Sequence, residues 1–106
     1  MRRISTGSPF EAKMGYSRAV VKGGWCFVSG VTGYDYGTMQ MPDGVAAQAR
    51  MCFSTIHRVL LDAGFEENDI VRVRYTVTDA CLVEELIPVL AAQFAHIRPA
   101  ATMIIA

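Results

Sequence analysis

Two histidines, three cysteines and a pair of arginines one residue apart are the side chains of this chain best suited to chemistry, and their spacing limits what each can do. His57 lies off the apolar stripe of a helical stretch and His96 lies near the end of another; neither has a second ligand at metal spacing. A histidine near a helix C-terminus is favoured there by the helix dipole. No metal and no cofactor is expected. Cys26, Cys52 and Cys81 are odd in number and far apart, which fits neither a disulfide framework nor a zinc site, so they read as small core residues. No Ser-His-Asp arrangement, phosphate-cradling glycine motif or dinucleotide fingerprint occurs. Arg72 and Arg74 project to one face of an alternating segment, where a solvated role, an interface ion pair and ligand binding are all open. Arg98 is the one charge entering a final run of small and apolar residues.

These side chains need elements to position them. "RRIST" at 2–6 reads as a first strand closed by Gly7, Ser8 and Pro9. "YSRAVVKGGWCFVSG" at 16–30 reads as two strands joined by the tight turn Gly23-Gly24. The glycine-rich "VTGYDYGTMQMPDG" is an irregular loop. In "DGVAAQARMCFSTIHRVLLDAG" at 43–64, Val45, Ala49, Cys52, Phe53, Ile56, Leu60 and Ala63 fall at helical spacing, with Thr55 off the stripe, Asp43 able to cap the start and Gly64 suited to a left-handed exit. "DIVRVRYTVTD" at 69–79 alternates, with Val71, Val73, Tyr75 and Val77 directed at a core. A second helix covers 82–97, interrupted by Pro88, and "AATMIIA" is a last strand. The order β-β-β-α-β-α-β places two helices on one face of a mixed sheet, a two-layer α+β domain spanning 1–106. The other sheet face is left open for partners to cover.

Composition agrees with a folded domain: 52% of residues are hydrophobic and 19% charged, an apolar balance that suits a subunit interface. Ten basic and ten acidic residues cancel, and no basic stripe marks a polynucleotide surface. No segment has the length to cross a membrane, and the N-terminus lacks the apolar core of a signal peptide. A reducing cytoplasm is the expected compartment.

"GYSRAV", "FVSGVTG", "DGVAAQARMCFSTIHRVLLDAGFEENDIVRVRYTVTD" and "IRPAAT", in this order and at these spacings, resemble the RidA (YjgF) family over residues 16–106. The resemblance implies a chorismate-mutase-like subunit, a homotrimer whose sheets form a central barrel, and clefts between subunits that hold a small metabolite. It implies hydrolysis of enamines and imines without a cofactor, a deaminase-type reaction. Tyr16, Ser29 and Gly30 match cleft positions of the family, the serine as a donor to ligand and the glycine as a point of close backbone approach. The family's carboxylate-binding arginine falls at Ala101, so the forked cation is missing and an altered substrate is expected. Arg98, three residues earlier, is a candidate stand-in, although an extended chain would direct it to the opposite face. Relatives continue into one further strand bearing an acidic residue, and the resemblance implies that this chain lacks it, either as a truncated form or by true loss of the strand; truncation is the expectation, because an unpaired apolar strand invites aggregation. A binding or sensing module without catalysis is the alternative function. Endoribonuclease or translation-inhibitor activity, a label some relatives carry, is disfavoured by the neutral charge.

Overall fold

The computed structural model describes all of residues 1–106. Its first strand, β1 (Arg2–Ile4), is followed by a helix that the sequence reading missed, α1 (Pro9–Met14). Ser8 and Pro9 start this helix rather than merely end a strand. The Ser8 hydroxyl accepts from the Phe10 amide at the N-cap, and Pro9 occupies the first turn, where its missing donor costs nothing. Gly15, at φ +74°, ends it in the left-handed conformation.

β2 (Ala19–Lys22) and β3 (Trp25–Val28) form the expected hairpin. Gly23 and Gly24 have φ of +60° and +81°, the paired positive values that a two-residue turn requires. β1, β2 and β3 make an antiparallel sheet in which Ile4 pairs with Ala19, and Ala19 with Val28. Cross-strand partners share a face. Ile4 and Ala19 therefore point to the core with Val21 and Cys26, while Arg3, Val20 and Phe27 share the opposite face.

α2 (Val45–Asp62) lies on the core face. Val59 and Ala63 pack with Ile4 and Ala19, and Phe65 closes the cluster. Ile4 and Val59, once buried, each contribute roughly 1.5–3 kcal/mol, and the alanines less. The exit at Gly64 is as expected. Gly64 has φ +83°, its amide donates to Leu61 and the Phe65 amide donates to Leu60, the paired bonds of a Schellman end. The start differs: Gly44 is the N-cap and no side chain, Asp43 included, bonds there. Thr55 is buried, against its reading as a residue off the stripe. Gly33 explains how the loop before α2 can lie on it, since a Cβ there would stand 2.7 Å from the Gln48 Cβ.

β4 (Arg72–Val77) is shorter than the alternating stretch suggested and leaves Val71 outside, exposed. Val73, Tyr75 and Val77 do turn inward, with Tyr75 6.3 Å from Phe94 of α3 (Val83–Phe94). Pro88 is accommodated inside α3, and Leu86 and Val89 are its buried residues. β5 (Ala100–Ile105) pairs in parallel with β4, Arg72 to Ala100 through Val77 to Ile105. The architecture is α+β, but it has three helices rather than two. Its strands form two sheets, β1-β2-β3 and β4-β5, rather than one mixed sheet. Alternation locates strands; it carries no record of which edges meet.

Candidate functional site

The hairpin ladder runs one step beyond its strands, and that step builds the site. The Ser29 amide donates to the Arg18 carbonyl at 2.8 Å, and the Ser29 hydroxyl donates to the Ser17 carbonyl at 2.6 Å. Upstream, the left-handed turn at Gly15 sends the chain from α1 into Tyr16, whose amide donates back to Glu11 at 3.0 Å. Tyr16, Ser17, Ser29 and Val20 line a hollow of about 520 Å³, with Arg3 from β1 and Glu11 from α1 completing it.

Behind the hollow lies Arg18, 1% exposed. Its guanidinium donates to the Gly30 carbonyl at 2.6 Å and to the Tyr16 hydroxyl at 3.3 Å. It also sits 4.4 Å from the centre of the Tyr36 ring, within cation–π range. Its Nε has no hydrogen bond, but Glu11 stands 3.8 Å away and supplies the counter-charge. Glu11 is itself buried. Burial pushes its carboxyl up, yet hydrogen bonds from Thr6 and Ser5, with the Arg18 charge, outweigh that and hold it below its ordinary value. Tyr36 extends the network into the loop, its hydroxyl accepting from the Thr32 amide at 3.1 Å.

The hydrogen-bond inventory assigns a polarity to each wall. A carbonyl only accepts, so Ser29 has committed its single proton to Ser17 and keeps lone pairs alone for any further partner. The expectation that Ser29 donates to a ligand is thereby corrected. An arginine only donates, so the Tyr16 oxygen accepts from Arg18 and its own proton remains free. Of the residues lining the hollow, Tyr16 thus keeps a free hydroxyl proton and Ser29 only lone pairs.

Of the residues singled out in the sequence, the structure brings together Tyr16 and Ser29, with Gly30 held against Arg18. A Cβ at Gly30 would meet nothing within 4 Å, so the backbone there is open to approach. Ala101 is elsewhere, paired with Val73 in the second sheet. Arg98 is not in an extended chain at all, which corrects the argument about its facing. It has φ +51° and its amide closes a turn onto Phe94 at 2.8 Å. Neither residue lines the hollow within one chain. Arg72 and Arg74 are exposed on β4.

Arg18, Glu11 and Arg3 are the site residues that sequence reasoning missed. "GYSRAV" contained Arg18, but only the fold shows that a charge adjoining a strand is covered from three sides. Cys26 and Cys52 are half-buried, and burial pushes both thiols up. Cys81 is exposed and so is not a core residue. The larger groove, about 750 Å³ between α2 and α3, is lined by none of Tyr16, Ser29, Gly30, Arg98 and Ala101, the positions singled out as site candidates. There His57 Nδ1 meets Glu67 at 3.0 Å and Gln93 donates to the same carboxylate at 3.2 Å, a brace between the helices. No helix is long and apolar enough to cross a membrane.

Comparison with known proteins agrees with this fold. The family model described as Endoribonuclease L-PSP matches residues 6–106. A RutC family protein of Aquifex aeolicus is 31% identical over 86 residues, 81% of this chain and 69% of that protein. The crystal structure of Rv2704 from Mycobacterium tuberculosis, of the YjgF/YER057c/UK114 family, is 37% identical with a TM-score of 0.88, covering 99% of this chain and 83% of that one. RidA from an Antarctic Psychrobacter is 31% identical with a TM-score of 0.89, covering 100% and 86%. With the match running through every element from α1 to β5, this chain belongs to the YjgF/RidA family, the Endoribonuclease L-PSP group.

Proposed function

We propose that the hollow at Tyr16 and Ser29 binds a small imine, enamine or keto-type metabolite and, as a deaminase-like hydrolase, adds water to the C=N bond. In that reaction R₂C=NH and H₂O give R₂C=O and NH₃. The free Tyr16 proton is the observation that carries this reading. A hydrogen bond from Tyr16 to the imine nitrogen draws electrons from the carbon that water attacks, and the Gly30 backbone leaves room for the substrate. The reaction needs no cofactor or metal. Purified protein mixed with freshly generated imino acids should release ammonia faster than buffer does. Equal rates for neutral and acidic imines alike would end the hydrolase reading.

The same reading takes the chain to be one subunit of a homotrimer, its sheets forming a barrel with clefts at the seams. Trp25 and Phe27 support it: they stack on each other while 59% and 61% exposed, a cost that burial against another subunit removes. Light scattering giving a single-subunit mass for well-folded protein at micromolar concentration would defeat it. Three free thiols suit a cytoplasmic setting.

A second reading, a metabolite-binding or sensing module, draws support from Glu11. That carboxylate is the only one lining the hollow, and hydrogen bonds from Ser5 and Thr6 already occupy it, so no base stands ready for water. Its mark is a ligand-dependent rise in Tm without turnover. The endoribonuclease in the family's description is a third. A chain of zero net charge is poorly suited to hold RNA, and salt-insensitive or absent RNA binding would dispose of it.

A further inference from the structure

Arg3 pairs with Val20 across β1 and β2, and both residues line the hollow together with Tyr16 and Ser29. The three arginines nearby differ in what they are free to do. Arg2 donates to the Asp62 carbonyl at the end of α2, and Arg18 is enclosed by Gly30, Tyr16, Tyr36 and Glu11. Arg3 is exposed, and the hydrogen bonds and ion pairs of the fold give its side chain no partner. Nor does Glu11 neutralise it, because that carboxylate already faces Arg18 and accepts from Ser5 and Thr6. The hollow therefore presents three different groups: an unpaired guanidinium, a hydroxyl proton and a hydroxyl lone pair.

We propose that Arg3 is the anion-binding residue of this hollow, and that with Tyr16 and Ser29 it selects a small carboxylic acid carrying a C=O and N–H pair beside the carboxylate. The carboxylate takes the fork of Arg3, a charge-assisted contact in the geometry guanidinium favours. The carbonyl oxygen accepts from Tyr16 and the N–H donates to Ser29. The cation that is absent at Ala101 on β5 is thus supplied from the opposite end of the chain, on β1. Arg18 is a positioning residue in this scheme, because its bond to the Tyr16 oxygen turns the hydroxyl proton towards the ligand. The inference rests on the hollow being the ligand site.

The test is a titration of the isotope-labelled full chain, read from the backbone amide signals of Tyr16, Ser29 and Gly30. The probes are N-acetylglycine, N-acetylglycinamide, which lacks the carboxylate, and N-acetylsarcosine, which lacks the N–H. N-acetylglycine should bind about tenfold tighter than N-acetylglycinamide, the discrimination that one charge-assisted contact supplies, and about threefold tighter than N-acetylsarcosine, which loses one neutral hydrogen bond. Arg3→Gln should abolish its advantage over N-acetylglycinamide and leave the amide's affinity unchanged. Arg2→Gln, whose side chain turns to α2, should change neither. If the hollow's signals respond but acid and amide bind alike, or Arg3→Gln spares the acid, the role of Arg3 is refuted and the hollow remains the ligand site. If no probe moves those signals, the hollow reading falls and the inference with it.

Discussion

The two sheets carry opposite kinds of information about function. In the antiparallel sheet and its flanks, polar side chains are bound to one another: Ser29 to Ser17, Arg18 to Gly30 and Tyr16, Glu11 to Ser5 and Thr6. In the parallel pair, β5 has no buried residue, Ala101 pairs with Val73 away from the hollow, and Arg98 closes a turn. The comparison teaches that the first sheet holds its polar side chains in a fixed arrangement, which is where the proposed function places the site. A position whose side chain is constrained on several sides is costly to change, while an exposed strand tolerates loss of a functional residue without loss of fold.

The largest effect expected is from Glu11→Ala. It leaves Arg18 buried without a counter-charge and should cost about 3 kcal/mol of unfolding free energy in urea. A loss under about 1 kcal/mol would mean the two sheets do not differ in this way. Acid should produce the next effect, through the same pair. Because the Glu11 carboxyl in the folded chain titrates below its ordinary 4.5, its stabilisation is complete above that value and is lost as pH falls through the lower, folded one. Urea titrations from neutral to strongly acidic pH should show a steeper fall for the natural chain than for Glu11→Gln. Ser29→Ala should cost about 1 kcal/mol by leaving the Ser17 carbonyl unpaired, and it should weaken binding of any ligand with an N–H. Arg98→Gly should raise stability by up to about 1 kcal/mol, since it removes a side chain from a left-handed backbone position, and should leave ligand binding untouched. Ala101→Arg should be the quietest, within about 0.5 kcal/mol in thermal unfolding, because the position is exposed.

Much of the fold was legible. The stripe of α2, its Gly64 exit, the Gly23-Gly24 hairpin and the inward face of β4 each follow from local periodicity or backbone permission, and those act over a few residues. α1 was not legible, because Gly7, Ser8 and Pro9 break a strand and start a helix with the same residues. The split of the strands into two sheets was not either, since pairing joins segments far apart in sequence. At the site, Tyr16, Ser29 and Gly30 could be named from the resemblance, but their hydrogen-bond roles could not. Ser29 looked like a donor until the Ser17 carbonyl was found taking its proton.

By itself the sequence determined which segments other than α1 form helices and strands, the absence of a basic stripe and the alanine at 101, because these depend on side-chain type and short-range spacing. Tertiary structure alone decided that Arg18 is buried against Glu11, that Arg3 and Tyr16 line one hollow, and that the Tyr16 proton is left free while the Ser29 proton is taken by Ser17. Burial and hydrogen-bond direction depend on which atoms lie across a gap of a few ångströms, and chain folding sets those neighbours.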